Sequence, residues 1–76
     1  MNFSKRLKEL RVEKAMTQKQ LAEALSIGYR TIQDYEYGVI EPTVSVLVKL
    51  ANFFGCSVDY LIGCSDKKCF VETTNL

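Results

Sequence analysis

Between positions 29 and 34 stand four side chains with complementary hydrogen-bonding chemistry: Tyr29, Arg30, Gln33 and Asp34. Arg30 offers a planar fork of donors, Gln33 a donor and an acceptor, Asp34 acceptors, and Tyr29 a ring with a hydroxyl. Residues three and four apart are neighbours on a helix, so this set shares one face. Such a face recognises flat polar edges and anions; it does not make or break covalent bonds. Catalytic constellations are missing from the chain. It has no histidine, no glycine-rich phosphate loop, no nucleophile elbow and no paired metal ligands, and its acids stand singly among bases. An enzyme is not expected, and no cofactor, metal or small-molecule ligand is implied.

The elements that hold this face are legible on either side of it. Thr17 and Gln20 form a T-x-x-Q capping box, which predicts a helix from Gln18. Leu21, Ala22 and Leu25 supply its buried stripe, and Ser26 and Gly28 end it and permit a new start. A second helix over about 28–36 is anchored inward by Ile32 and Tyr35 and stopped by Gly38 in a left-handed cap. Two helices this short, joined by so small a turn, leave one polar face unused by the core. That is the geometry of a helix-turn-helix whose second helix enters the DNA major groove.

Upstream, Phe3, Leu7 and Leu10 give a first helix at about 3–14. Downstream, Thr43 caps a helix over about 44–54, with Val46, Leu47, Leu50, Ala51 and Phe54 as its core stripe and Gly55 as its stop. Ser57 caps a last short helix at about 58–62, closed by Gly63. The expectation is an all-α, five-helix domain over residues 1–63 with a short C-terminal tail, residues 64–76. Cys69 to Thr74 are rich in β-formers, and a strand without a partner is not stable alone.

Leu7-Lys8-Glu9-Leu10-Arg11, the 17–38 segment, Glu41-Pro42-Thr43, Leu47-x-x-Leu50-Ala51, Phe54-Gly55 and Ser57-Val58-Asp59-Tyr60-Leu61-Ile62-Gly63 occur in an informative order. Over about residues 3–63 the chain resembles the Xre and Cro/CI-type helix-turn-helix family, the DNA-binding domain of lambdoid phage repressors. The resemblance implies that Gly28, Tyr29, Arg30, Gln33 and Asp34 read bases. Arg30 suits a guanine O6/N7 edge and Gln33 an adenine; the alternatives are a phosphate clamp for Arg30 and packing against the preceding helix for Tyr29. Asp34 either accepts from a cytosine amine or pairs with Arg30 and aims it, and the second is preferred. Gln18, at a helix N-terminus, would hold a phosphate with help from Thr17, Lys19 and Tyr37. Arg11 and Glu36 match a family pair that forms an internal salt bridge. Three positions depart from the family. Gly28 replaces a Ser or Thr and loses a hydroxyl, Tyr37 replaces an Asn that contacts the sugar-phosphate backbone, and Val39-Ile40 replace basic residues.

The net charge of +1 hides an asymmetry: residues 1–30 carry seven Lys/Arg against three Glu, and residues 31–76 three Lys against six acids. One face meeting phosphates suits that distribution. No apolar run approaches the ~18 residues of a membrane span, and the start does not read as a signal peptide, so a cytoplasmic location is expected with no membrane partner. Three cysteines, Cys56, Cys64 and Cys69, make neither a closed disulfide framework nor a four-ligand zinc site; reduced thiols are expected. Taken together, these features predict a sequence-specific transcriptional regulator, a repressor acting as a homodimer on a palindromic stretch of double-stranded DNA. Its expected dimer interface is Val58, Tyr60, Leu61 and Ile62 with Phe70 and Val71 of the tail. The rival reading is a protein-interaction module, such as an antitoxin or anti-repressor, favoured by the low charge and the Val39-Ile40 loop.

Overall fold

The computed structural model describes residues 3–63, in five helices: α1 (Phe3–Glu13), α2 (Gln18–Leu25), α3 (Tyr29–Tyr37), α4 (Val44–Phe54) and α5 (Val58–Leu61). Among the described residues there is no strand. The tail residues Phe70 and Val71, and Cys64 and Cys69, lie outside the described residues, so the expected tail pairing does too.

Side-chain caps start three of these helices. Thr17 Oγ1 accepts from Gln20 N at 3.0 Å while Thr17 N donates to Gln20 Oε1 at 2.9 Å, closing the expected box. Thr43 Oγ1 accepts from Val46 N, and Ser57 Oγ from Tyr60 N. Each cap satisfies an amide that the helix itself leaves unpaired and contributes about 1 kcal/mol.

The helix ends share a single device. After α1, α2, α3 and α4 one residue turns left-handed, at Ala15, Ser26, Gly38 and Gly55, and the next amide reaches back over the last turn. Met16 N bonds to Arg11 O, Ile27 N to Ala22 O, Val39 N to Asp34 O and Cys56 N to Ala51 O, at 2.9–3.2 Å. These are Schellman closures, and they turn the chain into connections of three to six residues. α1 therefore stops at Glu13 rather than Lys14. α3 runs one residue later than the sequence suggests, because Gly28 is extended and serves as its N-cap.

One core joins all five helices. Phe3, Leu7 and Leu10 of α1 meet Leu21, Ala22 and Leu25 of α2, Ile32 and Tyr35 of α3, Leu50, Ala51 and Phe54 of α4, and Leu61 of α5, with Cys56 from the α4–α5 turn. Phe3 and Tyr35 meet edge to face at 5.8 Å, which fixes the crossing of α1 over α3. Val46 and Leu47, expected at the centre of the α4 stripe, are half-buried and pack at the edge of the cluster, because the buried stripe begins only at Leu50.

One residue of the interface expected at α5 needs correction. Leu61 is fully buried in its own chain, so it has no surface to offer a partner. Val58 and Tyr60 pack against the core as well, and Ile62 is half-buried. Tyr60 is further covered by Arg6, whose guanidinium lies 3.9 Å from the ring centroid and donates to the Tyr60 carbonyl at 3.1 Å. Leu61 is thus the one buried residue of this four-residue helix, while Val58, Tyr60 and Ile62 keep partial exposure.

Candidate nucleic-acid interface

α3 has two unlike sides. Ile32 and Tyr35 face inward, against α1 and α2, and burial raises the Tyr35 phenol above its ordinary value. Gly28, Tyr29 and Arg30 stand exposed at its N-terminal end, and Gln33 and Asp34 follow one turn later, half-exposed. The structure thus gathers the five residues on one surface. Tyr29 is 48% exposed, so about half of it is open to solvent.

Arg30 and Asp34 form an ion pair, Nε to Oδ1, at 3.5 Å. The Arg30 side chain is 85% exposed, so water screens the pair and it adds little stability. Its consequence is directional. Asp34 engages the Nε side of the guanidinium, and the two terminal nitrogens remain available for bidentate bonding.

Gly28 has φ −60° and ψ 142°, a conformation open to any residue. A Cβ there would meet only Thr31 Oγ1, at 3.5 Å, which is ordinary contact. The backbone therefore does not require glycine at this point. The effect of Gly28 is to bring the start of α3 to the surface with no side chain in front of its first amides.

Behind this surface lies a polar brace. Arg11 Nε donates to Glu36 Oε2 at 2.6 Å and Nη2 to Oε1 at 3.1 Å, a bidentate pair between the end of α1 and the end of α3. Arg11 Nη1 also donates to the Met16 carbonyl at 2.8 Å. Gln18 Nε2 donates to Glu36 Oε1 at 3.1 Å, adding the start of α2. The Glu36 side chain is only 2% exposed, and these three bonds supply its carboxylate oxygens with partners inside the protein. The residue expected to bind phosphate is thus locked by the residue that holds α3. An amide nitrogen has two hydrogens, and the second Gln18 N–H is left for an external acceptor. Thr17 and Lys19 flank it in exposed positions, and Tyr37 is 69% exposed at the far end of α3. Sequence reasoning found Arg11, Glu36 and Gln18 but not the Gln18–Glu36 bond, nor the Arg6–Tyr60 contact. Neither follows from a local spacing rule.

A short capped helix, a three-residue turn and a second helix with its polar face outward define a helix-turn-helix domain. A helix-turn-helix family model matches residues 7–61, and the chain belongs to the Xre/Cro-CI-type helix-turn-helix family. It is similar to the HTH-type transcriptional regulator ImmR of Bacillus subtilis (strain 168), 43% identical over 63 residues, which are 83% of this chain and 50% of ImmR. It is also similar to the cryptic phage CTXphi transcriptional repressor RstR of Vibrio cholerae, 33% identical over 64 residues, 84% of this chain and 58% of RstR. In three dimensions it resembles the crystal structure of a transcriptional regulator from Listeria innocua. The TM-score is 0.75 at 30% identity, over 95% of this chain and 62% of that one. The chain spans about half the length of the curated relatives it matches. The family and these relatives are transcriptional regulators, not enzymes. No described helix is long and apolar enough to cross a membrane.

Proposed function

We propose that this chain is a sequence-specific DNA-binding transcriptional repressor that acts in the cytoplasm as a homodimer on a two-fold-related operator. One observation carries the reading. The exposed face of α3 presents Tyr29, Arg30, Gln33 and Asp34 together, and the Arg11–Glu36–Gln18 brace fixes that face relative to the α2 N-terminus. Such a brace holds base-reading groups and a phosphate-binding group in one register. Register is what distinguishes sequence recognition from general adhesion to a polyanion. Arg30 and Gln33 read base edges, Tyr29 packs on a thymine methyl, and the amides at the start of α2 with Gln18, Thr17 and Lys19 hold a phosphate. Repression needs only occupancy of the duplex, whereas activation needs a further productive contact, and the relative RstR is itself named a repressor.

Selection of bound duplexes from a random library tests the reading. A two-fold-related consensus with half-sites about one helical turn apart is the expected result. Uniform, sequence-independent retention overturns it. A reporter placed behind the selected site then separates repression from activation.

A second reading has one observation in its favour. Val39 and Ile40, at the loop that follows α3, are 67% and 42% exposed, which suits a protein partner. On that reading the domain chiefly binds another protein, and no duplex is selected.

A further inference from the structure

α1 turns toward solvent a face on which bases come first and acids last. Phe3, Leu7 and Leu10 point into the core, and the side opposite them carries Lys5, Lys8, Glu9, Val12 and Glu13. All five are exposed and line a shallow groove, in which Val12 is 57% exposed. This order works against the helix that bears it. A helix favours acids at its N-terminal end and bases at its C-terminal end. Yet α1 has no acid in its first turn, and on this face Lys5 comes first and Glu13 last. Lys5 and Glu9, four apart, also stand in the less favourable direction, with the base N-terminal to the acid. A local rule broken without gain to the fold points to a use outside it.

The charge order names the occupant. Turned end for end, base, base, acid, acid becomes acid, acid, base, base, which is the electrical complement of the same face. A second α1 laid antiparallel across a two-fold axis therefore sets Lys8 against Glu9 of the second copy and Lys5 against Glu13 of the second copy, each twice. In that register Val12 covers the aliphatic stem of Lys5 of the second copy. A partner of one sign, a duplex included, meets repulsion on half of the face.

The position of the face sets what such a contact does. Phe3 of α1 packs on Tyr35 of α3, so the two helices turn their buried sides toward each other and their outward sides away. Two copies paired through α1 thus keep Tyr29, Arg30, Gln33 and Asp34 uncovered, on opposite sides of the pair. This is not an arrangement that sets both α3 helices on one face of one duplex. It presents them to two duplex segments.

We infer that a second copy of this chain docks antiparallel on the outward face of α1, and that the contact joins copies held on separate duplex segments. The docking stands on the charges of α1 alone, whereas the joining of duplexes rests on the DNA-binding reading above. One helix face amounts to a few hundred Å2, less than the ~800 Å2 per partner of a stable complex. The contact is consequently weak between free copies and gains strength where DNA holds several copies close together.

Sedimentation equilibrium of the whole chain without DNA tests the docking, with three variants: Lys5→Glu with Lys8→Glu, Glu9→Lys with Glu13→Lys, and all four together. Acids early in α1 and bases late in it suit the helix dipole, so no variant should melt below the parent. With rising concentration the parent should double its mass in the micromolar to millimolar range. Each double variant carries one sign on both faces, and its dissociation constant for that step should rise about tenfold or more. The fourfold variant restores both the complementary order and the net charge of +1, and should associate as the parent does. The docking is overturned by a parent that shows no doubling up to about 1 mM, by doubling indifferent to both double variants, or by a fourfold variant as weak as the doubles. The joining of duplexes is read separately, with the duplex taken from the library selection. An immobilised copy of that duplex should retain a second, labelled copy when the parent is added, and not when either double variant is. A parent that binds one duplex but never joins two overturns the joining and leaves the sedimentation result standing. A parent that binds no duplex removes the DNA-binding reading, and the joining with it.

Discussion

Arg30 and Asp34 show how two side chains of modest stabilising value matter by direction. Their pair is largely solvated, so removing it leaves the fold almost unchanged. Arg30→Ala should cost about 1–3 kcal/mol on the preferred duplex and little on random DNA. Fluorescence anisotropy on both duplexes checks this, and an equal loss on each would make Arg30 a phosphate clamp. Tyr35, on the inner side of the same helix, carries a different signature. Burial raises its phenol above the ordinary value of 10, so the folded state keeps a proton that the unfolded chain releases. Above about pH 10 the unfolded state binds fewer protons than the folded one, and stability falls as pH rises. Below that value the contribution is fully present. Tyr35→Phe should therefore flatten the alkaline limb of a stability–pH curve measured by urea unfolding. An alkaline limb as steep as the parent's would assign the effect to other groups.

At the level of elements, the helix ends and the brace decide how firmly α3 is presented. Two of the four left-handed closures use residues with a Cβ, Ala15 at φ 56° and Ser26 at φ 55°. A side chain in that region costs about 1–2 kcal/mol, part of which glycine returns as unfolded-chain entropy. Ala15→Gly should accordingly stabilise the domain by about 0.5–1 kcal/mol in urea unfolding, and destabilisation would mean that the Ala15 methyl has a packing role. Arg11→Met has the opposite sign. It leaves the buried Glu36 carboxylate with the Gln18 bond alone and should cost about 3–5 kcal/mol by the same measurement, with Glu36→Met added to it restoring part of the loss. Most caps, stripes and stops of these helices were legible in the sequence because they depend on spacings of three and four; the closure at Ala15 and the half-burial of Val46 and Leu47 were not. Gln18 with Glu36 and Arg6 with Tyr60 lie 18 and 54 positions apart, and no periodicity reaches that far. α5 misled for a related reason. Four residues complete barely one turn, so its sequence does not say which side faces the core, and Leu61 reads as surplus surface when it is interior.

For the molecule as a whole, the charge asymmetry of the sequence overstates the basic surface available to DNA. Of the seven bases in residues 1–30, Arg11 is consumed by Glu36 and Met16, and Arg6 by Tyr60 and Glu9. Lys14 lies over the Phe53 ring, and Arg30 is paired with Asp34. Lys5 and Lys8 line a shallow groove along α1 with Glu9, Val12 and Glu13, where acids offset them. Lys19, beside the start of α2, is the base best placed to meet a phosphate at the proposed interface. Affinity should then depend more on hydrogen bonds from helix amides and side chains than on counterion release. With one or two phosphates neutralised per copy, the slope of log K against log salt for the dimer on its operator should be about −2 to −4. Titration of the selected duplex over a range of potassium chloride concentrations measures it. A slope steeper than about −6 would mean that the Lys5–Lys8 face also touches DNA, and that the duplex wraps farther around α1 than a contact centred on α3 requires.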